Sequence, residues 1–226
     1  MKSTLAVALA VTAAMVLAVT AALAAKPKND GMTGMAGMSG MAMPAKQTLS
    51  ASDLRATLGQ LFGEHAALAM NATDQGLTGA PSFAATAKAL DRNSVAISKA
   101  IGSVYGAKAG ATFLNGKYMW RDHIKFFVDY TVATAKHDKA GQTKAVANLK
   151  LYTVRFGDFL AGATGLPKTA VRNDLLAHVL QLKGQLDLYA VHNYAGAATQ
   201  YSQAYDHMFM TADLVAGAIA KQKGLK

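Results

Sequence analysis

The sequence has no cysteine and little glutamate or proline. Glu64 is the only glutamate among 13 acidic residues, and the 226 residues include only four prolines. Without cysteine, the chain can form no disulfide, thiolate metal cluster, thiol nucleophile or thioether-linked haem. With a single glutamate it cannot supply a ferritin-like di-iron site, which needs several inward-facing glutamates. The scarcity of proline permits long uninterrupted helices.

Sequence motifs of common enzyme classes are also missing. The chain contains no G-x-S-x-G elbow of a serine hydrolase and neither a P-loop nor a G-x-G-x-x-G turn after a strand. No acid–base pair or nucleophile stands out in their place. We therefore expect a protein that is not an enzyme.

The charge balance is basic, with 23 Lys and Arg against 13 Asp and Glu, but the charged fraction is only 16%. The lysines are spread singly along the chain and form no run. A hydrophobic fraction of 52% is enough for a sizeable core. These features favour a globular domain with a solvated basic surface and no nucleic-acid partner.

The first 24 residues have the pattern of a secretory signal peptide. Lys2 precedes an uncharged apolar run, and Ala22-Leu23-Ala24 provides a small-x-small cleavage site. We expect cleavage near Ala25, a periplasmic or secreted mature protein, and no membrane contact afterwards. Because the apolar run is long, an uncleaved membrane anchor is the alternative.

Residues 25–47 form a methionine-rich segment that cannot build a core, because glycine is frequent and the spacers are small. Five methionines recur there at short spacing: Met32, Met35, Met38, Met41 and Met43. Thioethers are soft, neutral ligands that suit Cu(I). The segment is similar to the methionine-rich segments of periplasmic copper-handling proteins. The alternative is a disordered linker whose methionines are incidental or act as oxidation sinks.

Residues 48–226 show helical apolar periodicity and no alternation with a period of two. The pattern predicts an all-α bundle of about six helices, the first over about 52–73. The predicted breaks lie at 76–81, 106–110, 137–141, 165–167 and 192–196, and Ser82 is a candidate N-cap of the second helix. The third predicted helix carries both Phe113 and Trp120.

Four of the six histidines fall in the middle of predicted helices, flanked by apolar residues at three- or four-residue spacing. They are His65, His123, His178 and His207. Four inward histidines on four helices can converge in a bundle core, as bundle metal sites do, and Met210 is an i,i+3 neighbour of His207. The spacing leaves open whether they form one site, two or none. His137 and His192 are expected to be exposed in turns. The alternative is that each core histidine is structural, with a hydrogen bond to a carbonyl or a tyrosine.

The histidine segments also suggest a loose internal pseudo-repeat. The segment around His65 resembles that around His178, and Asp122-His123-Ile124 resembles Asp206-His207-Met208.

Four stretches of the predicted bundle resemble a family of bacterial secreted helical proteins. They read EHAALAMNA, AIGSVYGAKAG, WRDHIKFFVDYTVATA and YDHMFMTADLVAGAI, and the likeness covers about 51–220. Members of that family are labelled copper-binding or copper amine oxidase. The resemblance implies copper, but Asn193-Tyr194-Ala195 lacks the acid of the quinone-forming motif of true copper amine oxidases, so we do not expect oxidase activity.

These observations together predict an exported protein that sequesters or carries copper, with Cu(I) favoured. The ligands would come from the methionine-rich segment and from the histidines and Met210 of the bundle. A copper chaperone or efflux partner is compatible with this function, but the sequence identifies none. Two alternatives remain open: a structural or interaction module, and a bundle that binds haem between two histidines.

Overall fold

The computed structural model describes residues 49–226, so the predicted signal peptide and the methionine-rich segment lie outside the described residues. Helices account for 87% of the described part, which contains no strand, and this confirms the all-α prediction. Residues 49–226 form six long helices and one short one. They are α1 (Ala51–Thr78), α2 (Phe83–Tyr105), α3 (Ala107–Asn115), α4 (Trp120–Ala135), α5 (Lys139–Thr164), α6 (Lys168–Ala190) and α7 (Tyr194–Lys223).

Side chains just outside the helices fix several helix starts. Ser50 and Asp53 form a reciprocal capping box at the start of α1. Asp138 and Asn193 each accept a backbone N–H at the starts of α5 and α7. The predicted cap at Ser82 is wrong, because the backbone of Ser82 is already helical and its side chain makes no capping hydrogen bond.

The segment between α2 and α4 differs from the prediction of a single helix carrying Phe113 and Trp120. Gly106, with φ of 91°, separates α2 from the short α3, and a second turn follows α3. In that turn Tyr118 has φ of 58°, and its N–H donates to the Asp122 carboxylate at 2.6 Å. The Asn-Gly pair at 115–116 is a turn signal that marks this break.

Helix α1 is the central element, since it packs against α2, α4, α6 and α7. Most buried apolar residues, including Leu58, Trp120, Tyr152 and Met208, belong to one core cluster. Within residues 49–226, no helix combines the length and the apolar character needed to cross a membrane.

A close backbone contact holds α3 against α2. A Cβ added to Gly110 would lie 2.5 Å from the carbonyl oxygen of Ser98, and the Ser98 hydroxyl donates to the Gly110 carbonyl at 2.8 Å. This contact positions Phe113, whose ring stacks on Trp120 with a centroid separation of 5.0 Å. The glycine is therefore required by packing.

We expect Gly110→Ala to lower the free energy of unfolding by about 1–3 kcal/mol, because α3 must move away from α2. The matched control is Gly162→Ala in α5, where an added Cβ meets nothing within 4 Å. That change should raise stability by about 0.5–1 kcal/mol through helix propensity. Urea denaturation followed by circular dichroism measures both, and a neutral Gly110→Ala would contradict the packing argument.

Candidate metal centre

Three histidines from three helices meet in the core. His65 on α1, His123 on α4 and His178 on α6 are all buried, with relative exposures of 0%, 2% and 4%. One ring nitrogen from each lies within 4.8 Å of the others, so the three side chains form a group that could hold a metal ion. We call this group the histidine triad.

The spacing within the triad is close to that of metal ligands. The Nε2 atoms of His65 and His123 are 3.4 Å apart. Two nitrogens that bind one ion at about 2.0 Å in tetrahedral geometry lie about 3.3 Å apart. His65 and His123 therefore already have the separation of a ligand pair, and His178 needs only a small side-chain movement to complete the set.

Aromatic rings hold the triad in place. The Trp120 ring lies 4.7 Å from the His65 ring and 5.0 Å from the His123 ring, measured between centroids. Tyr152 also stacks on His123, with centroids 4.7 Å apart and ring planes 23° apart. Both aromatic residues are almost completely buried. These contacts restrict the ring rotations that would otherwise oppose ligand convergence.

The hydrogen bonding of the triad is incomplete. In each of the three histidines Nδ1 is buried and has no hydrogen-bond partner among the described residues. An unsatisfied buried polar atom costs about 1–3 kcal/mol, so structural core histidines normally have a partner. The arrangement differs from that expected for three structural histidines, each bonded to a carbonyl or a tyrosine.

Burial keeps the triad in its neutral form. Desolvation, together with the nearby His178, lowers the pKa of His123 to about 3. A hydrogen-bonding contact with the Trp120 backbone, short of full hydrogen-bond geometry, partly offsets the shift. Desolvation and the neighbouring His65 and His207 lower the pKa of His178 to about 3. The pKa of His65 also falls well below 6.5 for the same main reason. Neutral imidazole is the form that binds metals.

Two small cavities adjoin the triad. The first, of about 30 Å³, is lined by His65 and His123 together with mostly apolar residues of α1, α2, α4 and α6. The second, of about 20 Å³, is lined by His123 and His178 and also by Asp174 and Thr211. Each has the size of a site for a water molecule or a single ion.

The structure does not bring all the predicted bundle ligands together. His207 lies beside the triad, but its Nε2 is 3.2 Å from the carbonyl oxygen of Asp174 and 3.4 Å from the carboxylate. Met210 is 63% exposed, so its side chain does not reach the buried triad. An i,i+3 spacing places two side chains on neighbouring rows of a helix, and α7 buries only one of these rows. Met32, Met35, Met38, Met41 and Met43 lie outside the described residues.

The other candidates from the sequence also have clear positions. His137 and His192 are exposed, in left-handed turns with φ of 56° and 62°. Glu64 is exposed and accepts a hydrogen bond from the Asn93 amide at 2.8 Å, so it faces α2 while the adjacent His65 faces the core.

Sequence reasoning missed three residues that contact or adjoin the triad. The sequence pattern identified Trp120 only as a member of an apolar stripe, and it did not single out Tyr152. Asp174 lies one helical turn before His178 and lines the same cavity. Burial raises the pKa of Asp174, and its contacts with Thr211 and His207 partly offset the shift. The i,i+4 spacing of Asp174 and His178 is the signal that could have identified it.

Comparison of the chain with models of protein families, with curated proteins and with solved structures found no match. The interpretation of the triad therefore depends on its own geometry.

We expect the metal-free protein to lose stability steeply in acid. Each triad histidine has a lowered pKa in the folded state, so the unfolded chain binds more protons below about pH 6.5. The free energy of unfolding should have its full value above pH 6.5. It should fall as the pH drops towards 3, by about 1.4 kcal/mol per pH unit for each histidine. Urea denaturation of metal-free protein at pH 7, 6 and 5 measures this slope.

His178→Leu removes one titrating group from the core. We therefore expect its free energy of unfolding to fall with decreasing pH about one third less steeply than that of the wild type. The control is His192→Asn at an exposed turn, where asparagine tolerates the left-handed backbone. Its slope should match the wild type. Equal slopes in wild type and His178→Leu would show that His178 is not held neutral by burial.

Proposed function

We propose that this protein is an exported, non-catalytic copper-binding protein that sequesters or carries copper. The observation that carries the proposal is the convergence of His65, His123 and His178 within 4.8 Å in the core, with His65 and His123 already at ligand spacing. The methionine-rich segment at 25–47 would provide a second, softer binding region.

The hydrogen bonding of the triad argues against a purely structural role for its three histidines. A structural histidine would be expected to bond to a carbonyl or hydroxyl, as His207 does with the Asp174 carbonyl. The triad instead has three buried Nδ1 atoms without partners among the described residues and an Nε2 pair at 3.4 Å. A metal ion bound by the Nε2 atoms would add favourable interactions that the metal-free core lacks, while the Nδ1 atoms would keep their present surroundings.

Ligand type and charge favour copper, and Cu(I) in particular. Imidazole binds copper well, and the absence of cysteine excludes thiolate zinc and iron–sulfur sites. Three histidines also suit zinc, so the preference for copper rests on the methionine-rich segment at 25–47 and on charge. The three imidazoles are neutral, so a bound ion keeps its full charge in a desolvated site. Because the cost of burying charge rises with its size, a monovalent ion is easier to accommodate than a divalent one.

Cavity volume supports a bare ion over haem. The cavities beside the triad measure about 30 and 20 Å³, and the surrounding space is filled by rings such as Trp120 and Tyr152. A macrocycle between two of these helices would require the aromatic packing to separate. An ion requires only a small adjustment of side chains.

Trp120 makes the proposal directly testable, since it is the only tryptophan in the chain and contacts both His65 and His123. We expect one equivalent of Cu²⁺ to quench its fluorescence in the full chain, because the ion would bind within about 5 Å of the ring, where a paramagnetic ion quenches strongly. In His65→Gln and His123→Phe we expect copper affinity at this site to fall by at least about 100-fold, since loss of even outer-shell partners costs 10–100-fold.

An anaerobic Cu(I) competition titration with a chromophoric chelator should give one fewer bound equivalent for these variants than for the wild type. Circular dichroism checks that they are folded, and His192→Asn is the control with an exposed histidine removed. Copper binding that leaves Trp120 emission unchanged would place the metal away from the triad. The bundle histidines would then be structural, and the bundle an interaction module.

A further inference from the structure

We propose that Asp174 and His207 form the port through which a metal ion enters the histidine triad. The inference rests on the proposed function, because it assumes that the triad binds the ion. It assigns to these two residues a transient site on the entry path, distinct from the final ligand set.

The two side chains form a connected polar group between α6 and α7. The Nε2 of His207 lies 3.2 Å from the backbone carbonyl oxygen of Asp174 and 3.4 Å from Oδ1 of the Asp174 side chain. The Thr211 hydroxyl donates to Oδ2 of Asp174 at 2.9 Å. Because the Asp174 carbonyl only accepts, Nε2 of His207 donates the proton of the contact between them. The Asp174 carboxylate is then the group that contacts a cation, and His207 holds that residue in place.

This polar group lies between solvent and the triad. The side chains of His207 and Asp174 are 14% and 23% exposed, whereas the triad histidines are almost inaccessible. The lining of the 20 Å³ cavity includes Asp174 and Thr211 together with His123 and His178, and most of its other lining residues are apolar. One small cavity therefore adjoins both the port and the triad.

Charge distinguishes this route from the cavity on the other side of the triad. Among the residues that line the 30 Å³ cavity, none has a charged side chain, so a hydrated cation would lose its water there without compensation. Asp174 supplies a negative charge on the port side of a chain whose formal net charge is +10. The nearby Arg172 is paired with Asp158, which neutralises its repulsion of a cation.

Stopped-flow measurement of Trp120 quenching by Cu²⁺ tests the port in the full chain. A transient site speeds entry and exit equally, so its removal changes rates and leaves the equilibrium constant unchanged. We expect Asp174→Asn to lower the association and dissociation rate constants each by about tenfold, within the range of electrostatic effects on association. The Kd should change by less than about threefold. His207→Gln should behave in the same way.

The matched control is Asp206→Asn, which removes the same charge from an exposed position adjacent to His207. Its helical position points about 100° away from that of His207, so its rates should stay close to the wild type. Unchanged rate constants in both port variants would overturn the port proposal without contradicting metal binding by the triad. A raised Kd with an unchanged association rate would also overturn it, because Asp174 would then be a ligand of the bound ion. If Cu²⁺ does not quench Trp120 fluorescence in the wild type, copper binding by the triad is itself contradicted, and the port proposal falls with it.

Discussion

The burial of three imidazoles at one point in the core is the constraint on which this structure depends. Each ring brings two polar nitrogens into a region without water, and the Nδ1 atoms are not paired by any described residue. The folded state must offset that cost by packing. The large aromatic residues Trp120, Tyr152, Phe113 and Phe156 are concentrated around the triad, where stacked and edge-on contacts bury much apolar surface.

The arrangement of the helices follows from this constraint. Helix α1 contributes His65 and packs against both other triad helices, α4 and α6. The short α3 brings Phe113 against Trp120, and Trp120 in turn contacts two of the histidines. Packing therefore connects the close approach of Gly110 to Ser98, at one side of the bundle, with the positions of the ring nitrogens at its centre.

The sequence predicts the helices well because their ends carry local signals. Asp138, Asn193 and Gly165 each act within a few residues, so the ends near them could be read from the chain alone. The break after α3 was missed although Asn115-Gly116 is a local turn signal. The turn is completed by the left-handed backbone of Tyr118, which a tyrosine in the sequence does not indicate.

The site was predicted only in part, because its formation depends on how the helices align with one another. Apolar neighbours at helical spacing identify His65, His123 and His178 as inward-facing, and the same rule selects His207. Which of them meet depends on the axial register of α1, α4, α6 and α7, which no single helix specifies. Met210 shows the limit of the spacing rule, since it is three residues from His207 yet 63% exposed.

The two proposed copper-binding regions differ in their response to acid. Thioether sulfurs do not protonate in the physiological range, whereas imidazoles must be neutral to bind a metal. In the unfolded chain the histidines titrate near pH 6.5, so protons compete with copper for the triad mainly by unfolding the core that contains it. Copper bound there would oppose acid unfolding by mass action. In this proposal the methionine-rich segment keeps its affinity as the pH falls, while the triad releases its ion cooperatively with the loss of the fold.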